Sequence, residues 1–280
     1  MNFAPDFPIL AKAYRIPLQC PVVVVRCFWL FALLFEAANQ TFTAFSWGAG
    51  GSTFWQIFLP LALFLIAWPI FAVGAVRWHR WMILGEYPQP FSFNHLSKSW
   101  SYFGRTAQLG LIGMPFLVFA GAISFVGLIG ADTDELRHPQ AAAYTWLVWY
   151  LLSAMIDIAV VVFMARFVLR LPRIAVLDKS PASQTQKFRP HTGWKPTLLL
   201  ATLPLTLATS TLALLQAPAG GTQDVIIATR FSLITALQTL GSDLLYFYSA
   251  LVFISVLSLW YAQHERSDAA TTAEPQPTLA

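Results

Sequence analysis

Phe54 to Val76 reads FWQIFLPLALFLIAWPIFAVGAV, and Arg77 to Pro90, directly after it, reads RWHRWMILGEYPQP. The first stretch carries no charged side chain. A helix of about 20 apolar residues crosses the ~30 Å hydrocarbon layer of a bilayer, so this stretch predicts a membrane span. The second stretch opens with two arginines and two tryptophans, the residue types that collect at a cytoplasmic membrane boundary. Five further segments repeat the apolar pattern: Val22 to Phe45, Leu109 to Gly130, Ala141 to Phe167, Pro196 to Gln216 and Phe231 to Tyr261. Of the 17 Lys and Arg, only Arg137 and Arg230 fall in the loops that would lie opposite Arg77. This positive-inside asymmetry places both termini in the cytoplasm and makes the number of spans even. The expected fold is all-α, a polytopic transmembrane helical bundle of about six spans with two cytoplasmic interfacial connections.

Composition agrees. With 57% hydrophobic and 11% charged residues, the chain is far more apolar than a soluble domain, in which roughly a quarter of residues are charged. Three regions follow: a cytoplasmic N-terminal segment 1–21, a membrane domain 22–261 and a disordered cytoplasmic tail 262–280 rich in Ala, Thr and Pro. Met1 to Cys20 contains Asp6 and prolines and no small-residue cleavage site, so the first span is expected to serve as its own insertion signal. The net charge of +4 is spread beside span ends. It points to anionic lipid headgroups on the cytoplasmic side as partner and not to nucleic acid. Cys20 and Cys27 lack CxxC spacing and read as reduced packing residues.

Two connections are long, Arg77 to Gln108 and Val168 to Lys195. In the first, Asn94 to Phe103 is expected to lie on the membrane surface as a short amphipathic helix. Arg77, Trp78, Arg80, Trp81 and Trp100, with Arg166, Arg170 and Arg173 in the second, are the candidate headgroup or interfacial residues. A shift of 89 positions lays Arg77 on Arg166, Lys98 on Lys187, Gly104 on Gly193 and Pro115 on Pro204. A parallel duplication of a span, basic connection and span unit would produce this pattern.

Arg77-Trp-His-Arg-Trp-Met-Ile-Leu-Gly-Glu86 after the second span, and Ala165-Arg166-Phe-Val-Leu-Arg-Leu-Pro172-Arg-Ile-Ala-Val176 after the fourth, resemble six-helix bacterial inner-membrane proteins. These are similar to the multi-helix membrane domain fused to some glycerophosphodiester phosphodiesterases. The resemblance implies a multi-pass address in the bacterial inner membrane. It carries no hydrolytic activity across, because these residues include no phosphodiesterase segment.

Signatures of catalysis are missing when sought by their mechanics. There is no Gly-x-x-x-x-Gly-Lys-Ser/Thr phosphate loop, no His-Glu-x-x-His zinc pair and no Gly-x-Ser-x-Gly elbow. Trp47 to Ser52 reads as an external hairpin. His79, His95, His138, His191 and His264 are scattered, and no metal site or cofactor is assigned, although His79, His95 and His191 share the cytoplasmic connections. The costly residues are the acids Glu36, Asp157 and Asp243 near the middle of spans, where a charge costs at least ~2.5–3.5 kcal/mol. Asn39 and Gln40 follow Glu36 at helical spacing, and with the acids they form a candidate intramembrane polar centre. Helix-to-helix hydrogen bonding, worth about 0.6 kcal/mol per group, is the favoured role for this centre. A proton or cation relay is the alternative. The overall expectation is a non-enzymatic structural, regulatory or scaffold component of the bacterial envelope. The alternative is a small proton- or cation-linked transporter or channel.

Overall fold

A computed structural model describes residues 5–46, 54–90, 92, 94–130, 155, 168–177, 194, 196–201, 208 and 233–272. The described residues form helices, turns and short extended links, with no strand among them. Helices among the described residues include α1 (Phe7–Gln19), α2 (Pro21–Ser46), α3 (Phe54–Leu84), α4 (Leu96–Gly130), α5 (Leu171–Val176) and α6 (Leu233–Thr272).

α1 begins at Asp6, whose carboxylate accepts the Ile9 backbone N–H at 3.2 Å and so satisfies one of the donors orphaned at a helix start. The Asp6 N–H in turn donates to Thr197 Oγ1 at 2.8 Å. Residues Ile9, Ala13 and Pro17, at spacing four, form the buried face. Cys20 separates α1 from α2. The proline that follows it disfavours helical backbone at Cys20, and Pro21 then occupies the first position of α2, where a missing N–H costs nothing.

Among the described residues, three helical stretches are long and apolar enough to cross a membrane: Pro21–Thr41, Phe58–Leu84 and Leu240–Gln263, with mean hydropathies of 1.9, 2.3 and 1.8. Leu33, Leu61, Leu65 and Ile66 stand exposed on the first two. Such a surface would be unfavourable in water and suits hydrocarbon. The expected first, second and sixth spans correspond to these helices, and the expected third, Leu109 to Gly130, is the later part of α4. The expected fourth span, Ala141 to Phe167, lies outside the described residues apart from residue 155. The fifth, Pro196 to Gln216, is described as helix at 196–201 and 208.

Two expectations change. Asn94 to Phe103 does not form a separate surface helix, because Leu96 onward belongs to the single 35-residue helix α4. Gly104 alone, costing about 1 kcal/mol, is too weak a breaker to end a helix there. At ~1.5 Å per residue α4 is roughly 50 Å long, so its early turns exceed what a bilayer core can cover. Residues 262–272, the described part of the expected disordered tail, are likewise helical and continue α6.

The chain divides into two compact units. One comprises Met1–Leu10, Gln108–Arg166 and His191–Phe253, and its described core includes Ile9, Leu109, Leu198, Leu251 and Val252. The other comprises Ala11–Ala107, Phe167–Pro190 and Ile254–Ala280 and holds the site described below. Its centre is the α2–α3 pair. Phe28 meets Phe71 and Trp78, Phe31 meets Phe71, and Phe35 meets Phe64, with ring centroids 5.0–6.3 Å apart. Residue number rises along α2 as it falls along α3, so the pair is antiparallel. Ala67 and Gly74, both buried and seven residues apart on α3, fall on the face that carries Phe71 and Trp78, and at Gly74 the α2 backbone comes close. A Cβ at Gly74 would lie 2.5 Å from Phe28 Cδ1 and 2.7 Å from the Cys27 carbonyl oxygen. Small residues that let backbones approach are the usual means of joining helices where lipid offers no hydrophobic drive.

Candidate functional site

The last turns of α3 carry Arg77, Trp78, His79, Arg80 and Trp81 in succession. Consecutive residues on a helix point about 100° apart, so these side chains reach different neighbours. Trp78 is fully buried and donates its indole N–H to Ser255 Oγ on α6 at 3.1 Å. Trp81 stacks obliquely against Trp78, with centroids 5.1 Å apart.

His79 is also fully buried. Its Nδ1 lies 2.7 Å from Ser258 Oγ of α6, and its Nε2 lies 3.2 Å from the Tyr102 hydroxyl of α4. Proton counting assigns the tautomer. Ser258 donates its single hydroxyl proton to the Ile254 carbonyl at 2.8 Å, so it accepts from Nδ1–H. Nε2 is then the acceptor for Tyr102 O–H. The result is a directed chain, Tyr102 to His79 to Ser258 to Ile254, that ties α4, α3 and α6 with each hydroxyl and ring nitrogen satisfied. Buried polar groups arranged this way avoid the ~1–3 kcal/mol cost of an unmade hydrogen bond.

Arg80 is 8% exposed. Its guanidinium forms a two-pronged ion pair with Glu86. Nη1 also donates to the carbonyls of Ala175 at 3.1 Å and Val176 at 3.3 Å, and Lys98 Nζ reaches the Val176 carbonyl at 3.4 Å. These are the last carbonyls of α5, groups that no intrahelical N–H can satisfy. Two cations thus cap α5 and fix it on α3. The hydrogen bond from Arg80 holds the Glu86 carboxyl below its ordinary range, with some opposition from burial. His95, whose Nε2 lies 3.5 Å from Glu86, is pushed below its ordinary value chiefly by burial and by the Arg80 charge.

Gly85 ends α3 with φ of +73°. No Cβ clash would arise there, so the glycine is required by its left-handed backbone and not by space. The segment Gly85 to Pro90 then folds back as a strap. Glu86 engages Arg80, Tyr87 lies under the Arg26 guanidinium at 4.9 Å, and the Pro90 carbonyl accepts from Trp29 Nε1 at 3.5 Å and Arg77 Nη1 at 3.4 Å. Between strap, α3 and the start of α4 is a cavity of about 130 Å³, with Arg77, Arg80, Glu86, Gln89, Asn94 and His95 in its walls.

The interfacial candidates separate. Trp78 and Arg80 are covered by protein, because Ser255, Glu86 and the carbonyls of α5 supply the polar partners that headgroups were expected to supply. Arg77 is half-buried against the strap, and Trp81 is half-buried beside Trp78. Trp100 is 66% exposed and stacks on Phe103, and Phe103 meets Trp68 edge-on. Arg170 is exposed at the start of α5 and Arg173 is half-buried within it. Arg166 lies outside the described residues.

Of the intramembrane polar centre, Glu36 and Gln40 are brought together: Gln40 Nε2 donates to Glu36 Oε1 at 2.7 Å along α2. Asn39 is half-buried on the same helix. Asp243 is half-buried on α6 and belongs to the other compact unit, and Asp157 lies outside the described residues. The histidine trio weighed as a metal site is not available through His79, both of whose ring nitrogens are engaged. Among the described residues no three metal-ligating side chains cluster.

Sequence reasoning did not find Tyr102, Ser255 and Ser258. The signal present was Ser255 and Ser258 at helical spacing in an apolar run, the pattern of a helix offering two hydroxyls to one neighbour. Comparison with protein-family models, with curated proteins and with solved structures finds no match for this chain.

Proposed function

We propose that the chain is a non-enzymatic structural, regulatory or scaffold protein of the bacterial inner membrane, with six spans and both termini cytoplasmic. On this reading the end of α3, the strap and α5 form a rigid platform at the cytoplasmic boundary, where the clustering of basic residues would place it. The observation that carries it is the engagement of the platform's chemically capable groups with one another. Both nitrogens of His79, the Arg80 guanidinium and the Glu86 carboxylate are bound to protein partners. A constellation satisfied in this way holds helices together, which is the work of a scaffold.

A transport reading has one observation in its favour, the half-buried Glu36 carboxylate with Gln40 beside it in a membrane-length apolar helix. Intramembrane acids are frequent members of proton and cation paths. Glu36→Gln, Asp157→Asn and Asp243→Asn separate the two readings. Scaffold acids should tolerate neutral near-isosteres, with thermal stability in detergent little changed and no proton or cation flux in proteoliposomes from parent or variant. A parent flux that disappears in two variants of unchanged stability would replace the scaffold by a transporter.

A further inference from the structure

The cavity beneath the strap is the one feature of the site that the helix-joining network does not use. At about 130 Å³ it is well below the ~300 Å³ at which pockets begin to hold whole small-molecule ligands. It still exceeds several-fold the ~10–15 Å³ needed for one water. A single compact polar group fits it.

The charge around it decides the sign of that group. Arg77 and Arg80 line the cavity, Arg26 stands over the ring of Tyr87, itself a lining residue, and Lys98 is close enough to act on both Glu86 and His95. Glu86 is the one acid in the lining, and Arg80 already holds both of its oxygens. A cation entering the cavity would have to compete with Arg80 for that carboxylate. An anion would meet the Arg77 guanidinium together with neutral donors of the lining, the Asn94 and Gln89 amides and the Ser92 hydroxyl. Guanidinium with amide and hydroxyl donors is the chemistry that recognises tetrahedral oxyanions.

We propose that the cavity between Arg77, the Gly85–Pro90 strap and the start of α4 is a binding site for one phosphoryl group. The group is either that of a membrane lipid headgroup, a source that rests on the interfacial placement proposed above, or that of a soluble phosphate. Arg77 provides the charge, and Asn94, at the exposed edge, completes the contact from the water side.

The test uses the full chain in a maltoside detergent, which contributes no phosphorus. Affinity is read by thermal shift and tryptophan fluorescence with three probes: short-chain phosphatidylglycerol, diacylglycerol of the same tails, and inorganic phosphate. Binding of phosphatidylglycerol without binding of diacylglycerol identifies a lipid phosphoryl group. Binding of inorganic phosphate alone identifies a soluble one. In either case Arg77→Gln should weaken binding by about tenfold or more, the loss expected for a hydrogen bond to a charged group. Asn94→Asp alters only an exposed edge and leaves the folding contacts of Arg77 in place. It should weaken binding in the same direction even where Arg77→Gln fails to fold. Arg15→Gln, exposed on α1 and outside the cavity lining, should bind as the parent does. Equal binding of diacylglycerol and phosphatidylglycerol without phosphate binding, no binding of any probe, unchanged affinity in Asn94→Asp, or an equal loss in Arg15→Gln would overturn the site. Detergent-solubilised protein presents both ends to the probes, so the outcome is independent of which end faces the cytoplasm.

Discussion

Glu86 shows how one residue's chemistry joins local structure to stability. Its carboxylate is the counter-ion of Arg80, a buried cation, and removing one partner of such a pair costs far more than an exposed pair contributes. Because the folded carboxyl is held below its ordinary value of 4.5, the stability it contributes is present above that value and is lost as pH falls through the lower folded pKa. His95 acts in the same direction. Its folded value lies below 6.5, so the unfolded chain takes up that proton first as pH falls, and stability declines from about that pH downward. The melting temperature in detergent should therefore fall steadily between pH 7 and pH 4. Glu86→Gln should melt lower than the parent at pH 7 and show a shallower decline below pH 5. A parallel acid limb in the variant would show that Glu86 does not couple to folding. The sequence shows Arg80 and Glu86 six residues apart, a spacing with no helical contact. Their pairing became readable only once Gly85 reversed the chain between them.

The α2–α3 pair depends on a close approach that a single methyl would disturb. Gly74→Ala places its Cβ against both a ring and a backbone carbonyl. The ring of Phe28 can turn but the Cys27 carbonyl cannot, so the helices must part. Overpacking of this kind costs about 1–3 kcal/mol, and a lowered melting temperature of the purified protein is the expected result. Gly104→Ala, where a Cβ meets nothing within 4 Å, should instead be neutral or mildly stabilising, as helix propensity dictates. Equal effects at the two glycines would contradict the packing described for α2 and α3. The helices themselves were legible in the sequence, since α2, α3 and α6 begin within a few residues of the apolar segments. Their far ends were not. α3 runs past Val76 to Leu84, α4 starts at Leu96, and α6 continues to Thr272, because the change from apolar to polar residues marks a change of solvent and not a break in hydrogen bonding. Gly85, with its left-handed backbone, is the breaker that ends α3.

At the scale of the whole molecule, apolar composition and the three membrane-length helices among the described residues agree on membrane insertion. Charge asymmetry carries the proposed topology, in which the Arg77 to Arg105 connection and the Arg166 to Lys195 connection face the cytoplasm beneath six spans. The clustering of Arg and Trp that marks this stretch was legible in the sequence. The platform's internal wiring was not, because Ser255, Ser258 and Tyr102 lie far along the chain from His79 and only tertiary packing brings them to it. Cysteine accessibility in intact cells tests the topology most directly. In a background without Cys20 and Cys27, single substitutions Ser97→Cys, Ser183→Cys, Thr133→Cys and Thr222→Cys are exposed to a membrane-impermeant maleimide. Labelling of the Thr133→Cys and Thr222→Cys proteins from outside, with the Ser97→Cys and Ser183→Cys proteins reacting only after permeabilisation, is the expected result, and labelling of Ser97→Cys from outside would contradict the six-span, cytoplasmic-platform arrangement.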